Sequence, residues 1–560
     1  LKMQNQNSNS GVSGQQRGRR LVLHFDINNT ILMKDTSKNL KSVQINVARI
    51  IAKSSWGRVT PSAESDHNQG GNWALLHDQL AWTKPDISLL KEKDRETESG
   101  DPVELVSYMD YLNEAYPLDR GNAEQNQAII TDRLLSFARA GGLASKFKNI
   151  SEKMLKALNL PKGAKEELNY PPELVEKIQK GEPLWDDKKK QAGEDEDEDA
   201  EQEENAGAGE AELTEEQKLM MQMFGEGKYH LIPAFFRTLI QLKKQKREFA
   251  VVYRTFGKDL DHVIWEFNQF CCGNHPCYSG RNGTPLIRFD GYKLTKDLRI
   301  RDPLQKGLFF RFSNELSDAK LLQGTLNRKT NDYDEVQDLI NNEDEFEDCN
   351  FIQDHIQIYQ SLQETLKKFS TVAIQDDYQN WKENDHHREV AKLLLVDQAD
   401  YSTQHIFFDD NADQDEDCIV DVRDAITKEI VPYQKFINRY VIKVEPHRAI
   451  LEPDYFIKMI EVAEQNRDEE IERVEAGMDD PAVQQDDKQE MEVAEDNEWQ
   501  RLQELPNEEY LMKTVLPVLY QGMKIVDQQR PVAPLEYLAL YLLKHQDQIK
   551  LPVKPVNSYQ

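Results

Sequence analysis

The sequence predicts an α/β fold, in which helices cover both faces of a mostly parallel sheet, and a separate α-helical hairpin near the carboxyl end. Two observations predict the sheet. Helical and strand patterns alternate between residues 230 and 430, and the strand patterns are continuously apolar, as is typical of strands buried on both faces. The hairpin is predicted by two helical apolar stripes that flank a proline-rich turn.

The composition bounds the class of protein. The chain has 560 residues, enough for at least two folded units, and a formal net charge of -30. This charge repels phosphate backbones and anionic membranes, so we expect neither nucleic acid nor membrane as a partner. No stretch approaches the about 20 apolar residues that span a bilayer, and the five cysteines do not resemble a disulfide framework. These features predict a soluble intracellular protein with reduced thiols.

The first predicted strand lies within residues 20–35, in the run RLVLHFDINNTIL. An apolar run that ends in Asp26 and continues into a polar turn is typical of a buried strand that leads into an active-site loop. Residues 1–19 before it are predicted to be a disordered tail. The following segment, 36–193, is predicted to be a mostly helical insertion, with core residues at helical spacing that include Trp73, Leu76, Leu80, Leu134 and Phe137.

Helices and strands alternate through residues 230–460. A helix over LIPAFFRTLIQLKKQ precedes the strand EFAVVYRTFG, and a helix over LQETLKKFS precedes the strand TVAIQDD. A further helix, over REVAKLLLV, is predicted to lead into the strand HIFFDDN. Functional residues of parallel sheets lie at the carboxyl ends of the strands. Here the candidates are Asp26 and Asn28, Thr255, Asp409 and Asp410, with Lys392 in the helix before the last strand.

These side chains suit phosphoryl transfer. A carboxylate can act as the nucleophile, a hydroxyl can hold a phosphoryl oxygen, an ammonium can neutralise charge, and a carboxylate pair can bind Mg²⁺. Acidic strand ends are common on soluble α/β proteins, so each motif by itself indicates little. The order of the four motifs along the chain is what favours this chemistry.

That order resembles the haloacid dehalogenase (HAD) superfamily, whose strands end in Asp-x-Asp-x-Thr, a Thr or Ser, a Lys and an acidic pair. The resemblance covers residues 20–35 and 230–430 and implies a Rossmann-like sheet, with 36–193 as a cap-type insertion. It implies the following roles: Asp26 as phosphoryl acceptor, Thr255 as phosphate contact, Lys392 as charge compensation, and Asp26, Asp409 and Asp410 as Mg²⁺ ligands. Lys382 is a less favoured candidate for the lysine.

The first motif departs from the family at Asn28, where the second Asp is expected. An amide cannot serve as a general acid or base, and losing that group costs typically about 10²- to 10⁴-fold in rate. The leading hypothesis is therefore a pseudophosphatase, a HAD-like domain that has lost turnover. A slow Mg²⁺-dependent phosphatase is the alternative.

A cysteine cluster lies in the run CCGNHPCY. Cys271, Cys272, His275 and Cys277 are enough donors for zinc, but their spacing matches no common structural zinc motif, so ordinary loop thiols are favoured. His386 and His387, which lie among acidic residues, are interpreted as a solvated helix start.

Two acidic stretches, residues 194–216 and 467–500, divide the chain. Such runs cannot bury enough apolar surface to offset the entropy of ordering, so they are predicted to be flexible linkers. An acidic recognition tail is the alternative.

Residues 505–550 hold the most informative pattern. Asn507 can cap a first helix, and Pro517 should kink that helix or shift its start toward Val515. The prolines of QQRPVAP force a turn, after which Pro534 can occupy the first turn of a second helix. The predicted interface residues are Leu511, Val515, Leu516, Leu519 and Met523 on the first helix and Leu535, Leu538, Tyr541 and Leu542 on the second.

Two helices of this length have no interior of their own. They are expected to pack against a copy of themselves as a four-helix bundle, unless they pack on the sheet of their own chain. The pattern, including Gly522, Arg530-Pro531 and Pro534, resembles the docking motif named for the dumpy-thirty (Dpy) protein, which is related to the dimerisation helices of protein kinase A regulatory subunits. The resemblance implies a homodimer, or a heterodimer with another docking-motif protein, whose groove receives an amphipathic partner helix.

The combination of such helices with an unrelated domain in one chain resembles components of ciliary axonemes, especially radial spokes. The resemblance therefore implies a scaffold subunit of an axonemal complex in the cilium, for which no cofactor is required. A docked Mg²⁺-dependent phosphatase in the cytoplasm, or a subunit of a nuclear histone methyltransferase complex, is the alternative.

Overall fold

A computed structural model of the protein describes residues 19–33, 42–60, 72–97, 102–118, 121–168, 214–311, 319–324, 350–413, 418–476, 511, 516–531 and 533–544. The chain divides into two compact units, residues 1–467 and 468–560. No helix among the described residues is both long enough and apolar enough to cross a membrane.

Strands dominate the centre of the first unit. They are β1 (Arg20–Asp26), β2 (Trp56–Thr60), β3 (Asn72–Leu75), β4 (Val106–Ser107), β5 (Phe249–Thr255), β6 (Lys306–Arg311), β7 (Ala319–Gln323), β8 (Asn350–Ile352), β9 (Thr371–Asp376), β10 (Lys392–Val396), β11 (Thr403–Asp409), β12 (Val420–Asp424) and β13 (Val441–Lys443). Within the described chain, eight of them form one sheet in the order β13-β11-β1-β5-β9-β6-β7-β8. All neighbours are parallel except β6–β7 and β7–β8. The predicted mostly parallel sheet is confirmed.

The helices precede, follow and cover these strands. They are α1 (Val43–Lys53), α2 (Tyr108–Ala115), α3 (Ala123–Phe137), α4 (Lys148–Ala157), α5 (Lys162–Leu168), α6 (Glu215–Phe224), α7 (Pro233–Lys244), α8 (Leu260–Cys272), α9 (His355–Phe369), α10 (Tyr378–Glu383), α11 (Tyr433–Phe436), α12 (Pro446–Leu451), α13 (Tyr455–Glu475), α14 (Leu516–Gln529) and α15 (Pro534–Lys544).

Strand β1 shows why the sheet is covered on both faces. Leu21, Leu23 and Phe25 point into one apolar core, and Val22 points into another, because successive side chains of a strand alternate between faces. Helices α1, α3, α7, α8, α12 and α13 supply the first core, whereas α9 and strand β10 supply the second. Each fully buried aliphatic or aromatic side chain contributes about 1.5–3 kcal/mol, which favours this two-sided arrangement.

The sequence predicts a mostly helical insertion at residues 36–193, but the structure also contains strands there. It contains a three-stranded antiparallel sheet in the order β3-β2-β4. Trp73 lies on β3, and Leu76 and Leu80 follow it outside any helix, so their helical interpretation was wrong. The strands WGRVT and NWAL are only five and four residues long, and aromatic and β-branched residues favour them. Leu134 and Phe137 do lie buried on helix α3, as predicted.

The insertion shares its core with the main sheet. Val47 and Ile50 of α1, and Leu134 of α3, belong to the same apolar cluster as Leu23 of β1. The division of the chain into sheet domain and insertion remains a prediction, but the two segments do not bury their apolar residues separately.

The predicted helix over REVAKLLLV was also wrong. Residues Arg388–Val390 form a single 3-10 turn, and Lys392–Val396 form strand β10, whose five residues are all buried. Strand β10 pairs in parallel with β12 in a two-stranded sheet. A short apolar run of this kind fits a buried strand and a buried helix equally well, so its periodicity could not distinguish them.

Part of each predicted linker is helical in the structure, so both linkers are shorter than predicted. Glu215 and Glu216 begin helix α6, which Thr214 caps in a capping box with Gln217. Helix α13 runs through residue 467 and ends at Glu475, because its glutamates and arginines are good helix formers on a helix already anchored by its buried first turns. The remainders of both predicted linkers, and the predicted tail at residues 1–18, lie outside the described residues.

The second unit contains the predicted helical hairpin. Helix α14 begins at Leu516, with Pro517 as its second residue, and helix α15 begins at Pro534. The predicted shift of the first helix toward Val515 and the position of Pro534 agree with these bounds, since proline is tolerated in the first turn of a helix. Asn507 and Val515 lie outside the described residues.

Candidate functional site

Three aspartates meet at the carboxyl edge of the main sheet. Asp26 is the last residue of β1 and Asp409 is the last residue of β11, its parallel neighbour, with Asp410 directly after it. All three are buried, and one carboxylate oxygen from each lies within 4.8 Å of the others. Because parallel strands end at the same edge, residues nearly 400 positions apart in sequence form one acidic cluster.

Lys392 ties two of these carboxylates together. Its Nζ donates to Asp26 Oδ1 at 2.6 Å and to Asp409 Oδ2 at 2.8 Å, and its side chain is buried. Burial by itself lowers the pKa of a lysine, but Asp26 and Asp409 outweigh that effect and raise the pKa of Lys392 above its usual range. The ammonium therefore stays charged. Lys392 was predicted to lie in a helix, but it begins strand β10 and contacts Asp26 from there.

Two opposing effects act on the ionisation of Asp26. Burial raises the pKa of its carboxyl, and Asp409 and Asp410 add to the rise, whereas the ammonium of Lys392 at 2.6 Å favours the carboxylate. The hydroxyl of Thr30 donates to Asp26 Oδ2 at 3.2 Å.

The acidic cluster fits a small divalent cation. Mg²⁺ prefers hard oxygen ligands and commonly uses one or two carboxylates, which Asp26, Asp409 and Asp410 offer. Among the described residues, no other group of three or more acidic, histidine or cysteine side chains has this spacing. Such a cation would supply charge stabilisation for a bound phosphoryl group.

The histidine of the cysteine cluster contacts a buried glutamate. His275 Nε2 lies 3.1 Å from Glu266 Oε1, and His230 Nδ1 lies 2.6 Å from Glu266 Oε2, all three side chains being buried. Although burial alone would raise it, the two histidines lower the pKa of Glu266 to about 2. Cys271, Cys272 and Cys277 are free thiols, and no metal-ligand group forms among them and His275 in the described chain. Cys271 and Cys272 are the last residues of helix α8, and Cys277 lies in a turn that follows it, so the interpretation as loop thiols fits only Cys277.

Thr255 and Asn28 both lie close to Gly257, which follows strand β5. A Cβ built on Gly257 would lie 2.7 Å from Asn28 Nδ2 and 3.2 Å from Thr255 Oγ1. The hydroxyl of Thr255 accepts from the Gly257 amide at 2.8 Å. The structure thus brings the four motifs to one edge and shows Thr255 stabilising the turn there.

Two site residues were missed by the sequence analysis. Lys53 ends helix α1, and its Nζ donates to Asn411 Oδ1 at 3.1 Å and lies 4.0 Å from Asp410 Oδ2. The indole Nε1 of Trp82 donates to the backbone carbonyl of Asp410 at 2.5 Å. Both residues come from the insertion, and no local motif signals contacts that span more than 300 positions.

The remaining candidates lie elsewhere. Lys382 is exposed on helix α10, whereas Lys392 contacts Asp26 and Asp409. His387 caps the turn Arg388–Val390, where the amide of Glu389 donates to its Nδ1 at 3.4 Å, and His386 packs edge-on against Trp381. The interpretation as a helix start fits only His387, and there only for a single 3-10 turn, because His386 lies in the turn that follows helix α10.

The helix pair of the second unit exposes much of its apolar stripe. Tyr520, Met523 and Leu535 have exposed fractions of 74%, 54% and 82%. Of the predicted interface residues, Leu511 and Leu516 are also exposed, whereas Leu519, Leu538, Tyr541 and Leu542 are half-buried. Surface of this kind marks interaction sites on soluble proteins.

The two helices cross closely at Gly522. This residue is buried, and a Cβ built on it would lie 2.7 Å from Leu538 Cδ1 and 2.8 Å from Tyr541 Cδ1. Real Cβ atoms essentially never come so close to other atoms. Any larger residue at this position therefore requires Leu538 and Tyr541 to shift.

The comparison with known protein families agrees with this geometry. The family model of the Dpy-30 motif matches residues 506–547, which include both helices and the turn between them. No solved structure matches the chain. The second unit of this protein thus carries a Dpy-30 motif, a helical module for docking and dimerisation.

Proposed function

We propose that the protein is a scaffold subunit of a multiprotein complex, which dimerises through residues 505–550 and binds an amphipathic helix of a partner. The Dpy-30 motif carries this proposal. The exposed Tyr520, Met523 and Leu535 support it, because a helix pair that leaves large apolar side chains in water gains stability when a second polypeptide covers them.

The complex we propose is a ciliary axonemal one, with a radial spoke as the first candidate and the cilium as the location. A large acidic chain that joins a docking module to an α/β domain without an acid or base at Asn28 suits a structural subunit. A nuclear histone methyltransferase complex is the second candidate. Co-purification with axonemal proteins from isolated cilia, against nuclear extract, distinguishes the two.

The oligomeric state tests the docking module. We expect the full-length chain to sediment as a dimer and the variant Leu538→Asp to sediment as a monomer, because a half-buried leucine at the helix crossing would become a charge that must be desolvated on association. Ala539→Asp is the matched control, since Ala539 is the exposed neighbour on the same helix. A wild-type monomer at every concentration would contradict the proposal.

The second candidate function is a Mg²⁺-dependent phosphatase of the HAD type. The observation that favours it is the arrangement of Asp26, Lys392, Asp409 and Asp410, in which a carboxylate that can accept a phosphoryl group lies beside a lysine and a potential cation site. The amide at Asn28 removes the group that would protonate the leaving oxygen.

Hydrolysis of an aryl phosphate separates the two functions. For the scaffold, we expect turnover with Mg²⁺ at the background level, unchanged in Asp26→Asn, because Asn28 supplies no acid or base. Asn28→Asp should raise the rate if the remaining groups are competent, since a general acid or base typically contributes about 10²- to 10⁴-fold. Brisk wild-type turnover that Asp26→Asn abolishes would establish the phosphatase instead.

A further inference from the structure

Lys53 places a second ammonium at the acidic cluster. Its Nζ lies 4.0 Å from Asp410 Oδ2 and donates to Asn411 Oδ1 at 3.1 Å. The Asp410 side chain is fully buried, whereas the Lys53 side chain is 36% exposed. A buried carboxylate requires a nearby positive charge or a metal, and Lys53 approaches Asp410 from the solvent side.

Trp82 holds this lysine in place. The ammonium of Lys53 lies 4.2 Å from the centre of the indole ring, and the indole Nε1 donates to the backbone carbonyl of Asp410. Trp82 is itself buried, so its ring is a fixed surface for the cation. One side chain thus contacts both members of the pair.

Lys392 and Lys53 contact different carboxylates of the cluster. Lys392 bonds to Asp26 and Asp409, whereas Lys53 faces Asp410. Other charged groups near Lys53 are Arg49, Asp413 and Lys443, and the last two are paired with each other. The three carboxylates therefore have two ammonium groups around them before any metal binds.

We propose that Lys53, held by Trp82, is a resident counter-ion of Asp410 that competes with a divalent cation for the cluster of Asp26, Asp409 and Asp410. This inference rests on the metal site of the second candidate function. A cation that binds the three carboxylates must work against the charge of Lys53 or displace it. The insertion thereby lowers the affinity of the sheet edge for Mg²⁺.

Titration of the full-length chain with Mg²⁺ tests this role. We expect Lys53→Met to bind Mg²⁺ about tenfold more tightly than the wild type by calorimetry, because a positive charge 4.0 Å from the Asp410 carboxylate is removed. Lys53→Gln, which keeps a partner for Asn411, should show the same gain, and Lys53→Arg should bind like the wild type. Lys443→Met, which removes a nearby lysine paired with Asp413, is the matched control and should change the affinity less than about twofold.

Indole fluorescence gives a second readout. Trp82 contacts both Lys53 and Asp410, so Mg²⁺ should change its emission, and Trp82→Phe should remove that change among the seven tryptophans of the chain. Thermal melting confirms that each variant is folded.

The outcomes are distinct. Wild type and Lys53→Met that bind Mg²⁺ equally, with Asp410→Asn abolishing binding in both, would overturn the role of Lys53 and leave the metal site intact. Absence of binding in wild type, Lys53→Met and Lys53→Gln alike would overturn the metal site itself. A gain in both uncharged variants that Lys53→Arg lacks supports the inference.

Discussion

Replacing Gly522 with valine is expected to separate helices α14 and α15 and to convert the dimer into monomer. The first carbon of any side chain at this position would lie 2.7 Å from Leu538 Cδ1 and 2.8 Å from Tyr541 Cδ1, so these two side chains or the helices that carry them must shift. Overpacking typically costs about 1–3 kcal/mol, and here the whole module is two helices. Sedimentation of the full-length chain gives the oligomeric state, and amide hydrogen exchange over residues 516–544 gives the local stability.

Ala539→Val is the control for Gly522→Val. Ala539 is exposed on helix α15, so this variant adds the same β-branched side chain to a helix without a close contact. We expect it to remain a dimer with nearly unchanged exchange. If Gly522→Val also remained a dimer with native protection, the close crossing would not be required for assembly.

Replacing Lys392 with methionine should destabilise the first unit by about 3–5 kcal/mol, because removal of one partner from a buried ion pair leaves Asp26 and Asp409 without their shared donor. Hydrogen exchange of the β1 and β11 amides reports this locally, without requiring that the whole chain unfold in one step. Lys382→Met, which removes an exposed lysine from helix α10, should stay within about 0.5 kcal/mol.

A double variant separates charge from packing. In Lys392→Met with Asp26→Asn, one of the two stranded carboxylates is neutral, so the loss should be smaller than in the single variant. Equal losses would show that the contacts of the lysine stem, and not its charge, stabilise the sheet edge.

Much of the sheet could be predicted because its strands are locally distinctive. β1, β5, β9 and β11 are apolar runs bounded by polar turns, and each lies where its pattern predicted. β10 was assigned to a helix because its apolar run has no period, and only its pairing with β12 distinguishes a strand. Propensity in a short run is weak compared with long-range pairing.

Only some residues of the candidate site could be predicted from the sequence. Asp26, Thr255, Asp409 and Asp410 lie at strand ends, so a parallel sheet brings them to one edge, and the order of motifs was informative. Lys53 and Trp82 reach that edge from the insertion, at sequence separations of 358 and 328 residues. No helical or strand period encodes such contacts. Gly522 was predictable as part of the docking motif, although the side chains that it meets were not.

The apolar cluster common to helices α1 and α3 and strand β1 bears on how a small molecule reaches Asp26. An insertion that opens on a hinge buries its apolar residues within itself, so that it can move as a rigid body. Here Val47 and Leu134 of the insertion belong to the same apolar cluster as Leu23 of the sheet, and moving the insertion away would divide that cluster. Hinged opening of the insertion would therefore expose these apolar side chains to water, which opposes such a movement.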